Sequence, residues 1–173
     1  MANSNLSISL GYEGSGAANA QPVYTEDGIH TLGGSRADAD TQTAYFGVVV
    51  SVDPAATVPG QFFCGIPSTY IPAGIIMYSA GIAMLDAAKP NSFIGNQPMA
   101  IVHLGQMWFG SWTKTSPNAI DPVVGCVVIC NNTTGAIEFQ PMGASAPTGW
   151  TVINAYVKSI SLFTNGAMLF VNF

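Results

Sequence analysis

The sequence predicts an all-β protein: a small β-barrel or β-sandwich domain over residues 43–173, preceded by an extended N-terminal arm over residues 1–42. Short runs rich in β-branched and aromatic residues recur along most of the chain, separated by clusters of Gly, Pro and Asn. No stretch keeps the 3.6-residue period of an amphipathic helix. The first 42 residues differ from the rest in composition, which places the domain boundary after them.

The predicted arm is polar and holds a majority of the acidic residues: Glu13, Glu26, Asp27, Asp38 and Asp40. Residues 6–12, LSISLGY, alternate apolar with small or polar residues, as a short strand with one apolar face does. We therefore expect the arm to become ordered against a partner, and its deletion to leave the domain folded. The apolar residues expected to make these contacts are Leu6, Ile8, Leu10, Tyr12 and Tyr24.

The domain is predicted to consist of many short strands joined by turns. Turn residues cluster in segments such as DPAATVPG, NNTTG and TNG. Short strands at this spacing are typical of barrels and sandwiches. The strand-like runs are residues 45–52, 61–66, 74–80, 99–105, 106–112, 124–130, 135–140, 150–157, 160–164 and 167–173.

Three of these runs do not alternate apolar and polar residues: VVV at 48–50, CVVIC at 126–130 and MLFVNF at 168–173. A strand with one solvated face should alternate, so both faces of these runs are expected to be buried. A small barrel has one interior, and an interface with other subunits would cover the second face. We therefore expect self-association, as a homotrimer first and a homodimer second, with Phe170 and Phe173 among the contacts.

The composition argues against nucleic-acid and membrane partners. Charged residues make up 8% of the chain, against roughly 25% in average proteins, and the net charge is −5. The four basic residues are too scattered to neutralise phosphates. The most apolar segment, 71–85, is short for a membrane span and is interrupted by Pro and Gly. The first residues lack the pattern of a secretory signal.

The three cysteines, Cys64, Cys126 and Cys130, are expected to be buried thiols. In a strand, two residues four positions apart lie about 13 Å apart at about 3.3 Å per residue. Cys126 and Cys130 can therefore neither form a disulfide nor share a metal ion. We expect no metal and no cofactor.

Candidate catalytic groups are few, and the chain is not expected to be an enzyme. Asp27 and His30 could form a carboxylate–imidazole dyad, but they lie in the predicted arm, where no scaffold would hold them. His103 lies in an apolar run without a second metal-ligating residue nearby. Residues 33–37, GGSRA, differ from the nucleophile elbow of hydrolases in sequence and in context.

Two other residue pairs have a functional and a structural interpretation. Trp108 and Trp112 could form a sugar-stacking platform, although core or interface packing is the more frequent role of such a pair. Asp86 and Lys89 could form an acid–base pair. Asp before AAK and then Pro is, however, typical of a capped turn, so we expect this pair to shape the turn.

Residues 43–173 resemble the capsid cement, or decoration, proteins of tailed bacteriophages. The resemblance rests on GIAMLDAAKPNSFIGNQPMAIVHLGQMWFGSW and on VVGCVVICNNTTGAIEF. In these segments a strand ends in an Asp-Ala-Ala-Lys turn, a V-x-x-G-x-x-W strand follows, and a Thr-Gly turn comes later. The matching residues are Asp86, Ala87, Ala88 and Lys89, then Val102, Gly105 and Trp108, then Thr134 and Gly135.

The resemblance implies a virion protein that is made in the cytoplasm of the bacterial host. It would oligomerise on the outside of the head and clamp neighbouring major capsid protein subunits. Trp108 and Trp112 would then join the arm residues as contacts. The alternative is a lectin-like glycan- or receptor-binding β module displayed on a virion, which would need both tryptophans exposed to solvent.

Overall fold

The computed structural model describes residues 21–23, 30–37, 40, 42–77, 92–93, 97–110, 112, 114–160 and 166–173. These residues form twelve strands and no helix, which confirms the predicted all-β class. The strands are β1 (Gln21–Val23), β2 (His30–Arg36), β3 (Ala44–Tyr45), β4 (Val49–Val52), β5 (Gln61–Cys64), β6 (Ile71–Ile76), β7 (Ser92–Phe93), β8 (Pro98–Phe109), β9 (Val127–Asn131), β10 (Ile137–Gln140), β11 (Trp150–Ile160) and β12 (Ala167–Asn172).

Five strands close into a barrel in the order β8-β2-β5-β4-β6 and back to β8. Four of its five strand contacts are antiparallel, and the contact between β2 and β5 is parallel. The small strands β3 and β7 form a separate two-stranded sheet. The predicted barrel is therefore present.

The second half of β8 leaves the barrel and begins an antiparallel extension in the order β8-β12-β11-β9-β10. We call this extension the wing. Residues 104–109 of β8 pair with β12, while residues 106–108 also pair with β1 on the opposite edge. The two runs predicted at 99–105 and 106–112 thus form one continuous strand, β8, which belongs to both parts of the fold.

Two hydrophobic cores share the barrel strands. The first core joins the inner face of the wing to β4, β6 and β8, and it contains Val49, Val128 and Leu169. The second core contains Val48 and Val50, on the other face of the same segment as Val49, together with residues of β5, β6 and β8. Both faces of the VVV run are therefore buried within one chain. The prediction that this run needs a second subunit is wrong, because the wing covers it.

The turn at residues 131–136 joins the wing to the barrel by backbone hydrogen bonds. Val49 N donates to Gly135 O at 2.9 Å, and Ile66 N donates to Asn132 O at 2.9 Å. Gly135 has a φ of 74°, and a Cβ there would lie 2.3 Å from Val49 O. Glycine is required at this position because both the dihedral angle and the close backbone contact exclude a side chain.

Part of the predicted arm belongs to the barrel. His30–Arg36, HTLGGSR, forms β2 between β8 and β5. The segment contributes little apolar surface, so its place depends on backbone pairing with strands that lie far away in the sequence. The domain therefore starts before residue 43, and deletion of residues 2–42 would remove a barrel strand. Residues 1–20 lie outside the described residues.

Candidate assembly surface

The outer face of the wing carries the candidate assembly surface. Along β11, Ile153 and Val157 point into the first core, whereas Val152, Asn154 and Tyr156 are exposed. Directly opposed residues of antiparallel strands share a face. Tyr156 lies opposite Phe170 of β12, and Phe170 lies opposite Gln106 of β8. All three therefore belong to the outer face.

The chain covers this outer face at both sides and leaves its middle open. On β10, Glu138 and Gln140 are fully buried. On β8, Gln106 and Trp108 are only 2% and 4% exposed. Between them, Val152 is 50% and Tyr156 is 49% exposed. We call the uncovered part the open strip; it consists of Val152, Asn154, Tyr156, Phe170 and Asn172.

Two aromatic side chains form the centre of the open strip. The rings of Tyr156 and Phe170 stack with centroids 5.3 Å apart and an interplanar angle of 28°. Phe170 was predicted as a contact from the sequence, while Tyr156 was not. The alternation in WTVINAYVKSI contains the missed signal, because it places Tyr156 opposite to the buried Ile153 and Val157.

Two loops present a second apolar surface next to the open strip. Val124 is 64% and Met142 is 77% exposed, and a Cβ on Gly125 would lie 3.0 Å from Met142 Cε. The two loops therefore meet at Gly125. Gly125 N donates to Val157 O at 3.4 Å, beside Tyr156 in β11. We call Val123, Val124 and Met142 the apolar tip.

A buried carboxylate on β10 holds the loop at residues 114–117, which covers one side of the outer face. Glu138 accepts hydrogen bonds from Thr115 N at 2.7 Å, Thr115 Oγ1 at 2.6 Å and Ser116 N at 2.9 Å. Burial alone would raise the pKa of Glu138, but these hydrogen bonds outweigh it and lower the pKa to about 2. Gln140 Nε2 also donates to Pro117 O at 2.7 Å. This loop therefore closes one side of the outer face.

A partly buried arginine ties β2 to the neighbouring turn. Arg36 Nη1 donates to Phe93 O at 2.8 Å, and Nη2 donates to Asp40 O at 2.7 Å and to Gln42 O. Asp40 Oδ2 lies 3.6 Å from Arg36 Nε and accepts a hydrogen bond from Cys64 N at 3.0 Å. In the sequence Arg36 is one of four scattered basic residues and part of GGSRA, and neither pattern predicts this structural role.

An open cleft of about 380 Å³ lies beside Asp40. Its lining includes Phe63 and Tyr70, whose rings meet edge to face at 5.1 Å. Asn132 and Thr133 contribute polar groups to the cleft. The arrangement offers an aromatic wall and hydrogen-bonding groups.

The chemistry-bearing residues of the described chain are dispersed. The rings of His30 and His103 lie 6.0 Å apart, and Asp27, the predicted partner of His30, lies outside the described residues. Cys64, Cys126 and Cys130 are free and buried, as predicted, and burial raises the pKa of each thiol. Among the residues that the structure describes, no three His, Cys, Asp or Glu residues are close enough to hold a metal ion.

The predicted contact residues have different positions in the structure. Trp108 is buried inside the protein. Trp112 is half-buried, packs against Phe139 at 5.7 Å, and its Nε1 lies 3.3 Å from Asp121 Oδ1. Phe173 is half-buried against the first core. The remaining predicted residues lie outside the described part of the chain: Leu6, Ile8, Leu10, Tyr12, Tyr24, Asp86 and Lys89.

Comparison with known proteins shows a shared fold. No protein-family profile and no curated protein sequence matches the chain. A chain in the solved structure titled "The capsid of Myoviridae Phage XM1" is similar to this protein, with a TM-score of 0.58 and 15% sequence identity over 90% of each chain. No helix formed by the described residues is long and apolar enough to cross a membrane.

Proposed function

We propose that this protein is a structural component of a bacteriophage virion, where it decorates the outer face of the head and clamps neighbouring major capsid protein subunits. The observation that carries the proposal is the fold likeness, over 90% of both chains, to a chain from a phage capsid structure. The sequence resemblance to phage decoration proteins over residues 43–173 supports the same function independently of that likeness.

The open strip and the apolar tip support this function as contact surfaces. Both expose apolar side chains on a protein with few charges, and Tyr156 and Phe170 form the kind of rigid aromatic pair that is frequent at the centre of interfaces. A decoration protein contacts several subunits at once, so each contact raises the effective concentration of the next. Moderate surfaces of this kind are then sufficient for stable attachment.

In this proposal the protein works by binding, without a catalytic step. Its partners are the major capsid protein and further copies of itself, and its place is the exterior of the head. The low charge and the net charge of −5 agree with protein contacts rather than contacts to packaged nucleic acid. The N-terminal arm, whose first 20 residues lie outside the described residues, would extend the attachment to neighbouring subunits.

The proposal is tested on heads of the source phage that lack this protein. Purified wild-type protein is added, bound protein is quantified after sedimentation of the heads, and cryo-microscopy locates the added density. We expect saturable binding to the outer face. Tyr156→Asp, in the open strip, should weaken binding at least about tenfold, which corresponds to about 1.4 kcal/mol.

Tyr45→Asp is the matched control, since Tyr45 is a tyrosine of similar exposure, 40% against 49%, in the separate sheet of β3 and β7. It should bind heads as the wild type does. Wild-type protein that fails to bind heads, and that is missing from the native particle by mass spectrometry, would contradict the proposed function. If Tyr156→Asp and Tyr45→Asp bind heads equally well, the role of the open strip is contradicted, but the proposed virion function is not.

The glycan-binding alternative has less support. It required Trp108 and Trp112 to form an exposed platform, but Trp108 is only 4% exposed. A glycan would instead have to use the cleft between Phe63 and Tyr70. Binding to a glycan array that is abolished by Tyr70→Ala would favour this alternative over capsid attachment.

A further inference from the structure

Two histidine side chains meet where β2 begins. His30 is the first residue of β2 and is exposed, and His103 lies in β8 and is half-buried. Their ring centroids lie 6.0 Å apart, with an interplanar angle of 73° between the rings. The chain contains 2 histidines, and the fold brings both to one place. They lie far apart in the sequence, so no local pattern connects them.

An irregularity of the sheet brings the two rings together. His30 lies opposite Leu104, whereas the next residue of β2, Thr31, lies opposite Val102. His103 is therefore the extra residue of a β-bulge. In a regular ladder, opposed residues share a face and successive residues alternate, so His103 would lie on the face away from His30. The bulge instead brings its ring beside that of His30, as bulges that re-aim a side chain do.

Backbone hydrogen bonds hold both histidines in place. His103 O accepts a hydrogen bond from Phe173 N at 2.8 Å, and β8 pairs with β2 and β12 on the two sides of the bulge. His30 is fixed by its pairing with β8. Once one imidazole binds an ion, the second is therefore present at a high effective concentration. The pair should bind an ion more tightly than either histidine alone.

The distance between the rings suits one metal ion between them. A zinc–imidazole bond measures about 2.0–2.1 Å, so an ion bound to one nitrogen of each ring lies about 3.2 Å from each ring centroid. A tetrahedral angle at the ion then places the two centroids about 5 Å apart. The rings need to approach by about 1 Å from the observed 6.0 Å. Small side-chain rotations are sufficient for such a movement.

The surroundings of the two rings do not oppose a cation. Residues 30–35 and the strands β8 and β12 contain neither Lys nor Arg, and the net charge of the chain is −5. Imidazole nitrogen suits zinc, nickel and copper ions, whereas magnesium and calcium ions take oxygen ligands. Because His30 is exposed, water can reach an ion at this position and complete its coordination.

We propose that His30 and His103 form a binding site for one divalent transition-metal ion, Zn²⁺, Ni²⁺ or Cu²⁺. Each histidine supplies one ring nitrogen, and water fills the other coordination positions. The ion links the first residue of β2 to β8. Since β2 contributes little apolar surface, an ion that binds only the folded chain stabilises this barrel strand. The proposal goes beyond the virion function and does not rest on it, because the purified chain alone decides it.

Isothermal titration calorimetry on the untagged full chain tests the site. ZnCl₂ and CuCl₂ are titrated separately into the wild type, His30→Gln, His103→Gln and the double variant, with MgCl₂ as the control salt. We expect one ion per wild-type chain, binding at least about tenfold weaker in each single variant, and no binding of Mg²⁺. The double variant should not bind. It keeps the three buried cysteines, so it also shows whether thiols contribute.

Two further measurements decide the question even if one variant does not fold. In NMR spectra of the wild type titrated with ZnCl₂, the ring signals of His30 and His103 should change with a common midpoint. In thermal unfolding, ZnCl₂ should raise the unfolding temperature of the wild type and leave that of the folded double variant unchanged. The proposal is overturned if the wild type binds neither ion, if a folded single or double variant binds with wild-type affinity, or if only one histidine responds to zinc.

Discussion

Substitution of Glu138 by glutamine tests the view that one buried carboxylate holds the loop at residues 114–117 on the outer face of the wing. Glu138 is fully buried and accepts three hydrogen bonds, from Thr115 N, Thr115 Oγ1 and Ser116 N. A glutamine keeps one carbonyl oxygen but turns its amide group towards a backbone N–H that also donates. At least one buried donor is then left without an acceptor.

The pKa of Glu138 gives the size and the sign of the effect. Its value of about 2 in the folded protein, against an ordinary 4.5, corresponds to about 3 kcal/mol of stabilisation at neutral pH, since each tenfold change in proton affinity is about 1.4 kcal/mol. The folded-state pKa is lowered, so this stability is present above about pH 5. It is lost as the pH falls through 4.5 towards 2. The glutamine side chain cannot titrate, so the variant should lack this pH dependence.

Urea unfolding of the wild type and the variant at about pH 7, 5 and 3, followed by Trp fluorescence, measures both effects. We expect Glu138→Gln to lower the free energy of unfolding by about 2 to 4 kcal/mol at neutral pH, and the difference to shrink in acid. Asp121→Asn is the control, because Asp121 is exposed and pairs with Lys114 at 2.6 Å in solvent, where ion pairs contribute little. A Glu138→Gln variant with wild-type stability and an unchanged pH dependence would refute the reasoning.

Three further predictions concern the barrel and its thiols. In thermal unfolding, Gly34→Ala should destabilise the fold by about 1 to 3 kcal/mol, because a Cβ at residue 34 would lie 2.2 Å from the Phe62 ring. Gly33→Ala should leave the stability close to that of the wild type, because a Cβ at residue 33 would have no atom within 4 Å. Arg36→Met should cost about 3 to 5 kcal/mol in urea unfolding, since it leaves a buried carboxylate without its cation; a loss below about 1 kcal/mol would contradict this. Because burial raises the pKa of Cys64 and Cys130, a thiol reagent at about pH 8 should leave both unmodified in the native protein and modify them in urea; rapid modification of the native protein would contradict their burial.

The all-β class and the buried thiols were predictable because they depend on local patterns. Runs such as Val127–Asn131 and Ala167–Asn172 are apolar, short and bounded by turn residues, so each indicates a strand without reference to the rest of the chain. The cysteines lie within or beside such runs. Strand ends were less predictable, since β8 continues through Gly105, where the sequence suggested a break.

The place of β2 and the role of Glu138 were not predictable in this way. HTLGGSR has too few apolar residues to indicate a strand, and its position depends on β8 and β5, which come later in the chain. Glu138 lies in an otherwise uncharged strand, IEFQ, and that isolated acid was the available signal. Its partners, Thr115 and Ser116, are 23 and 22 residues away, so no local pattern connects them.

The sequence suggested an assembly surface on the non-alternating strands, whereas the structure leaves an exposed apolar side chain on β11. Runs buried on both faces seemed to require a second subunit, yet the wing covers residues 48–50 from within the chain. An apolar run that its own chain covers has no surface left for a partner. Contact with a partner must instead use strands on which an apolar residue stands on the solvated side. Tyr156 in β11 meets that condition at 49% exposure and stacks on Phe170 of β12, so assembly contacts are expected on this face rather than on the run that the wing covers.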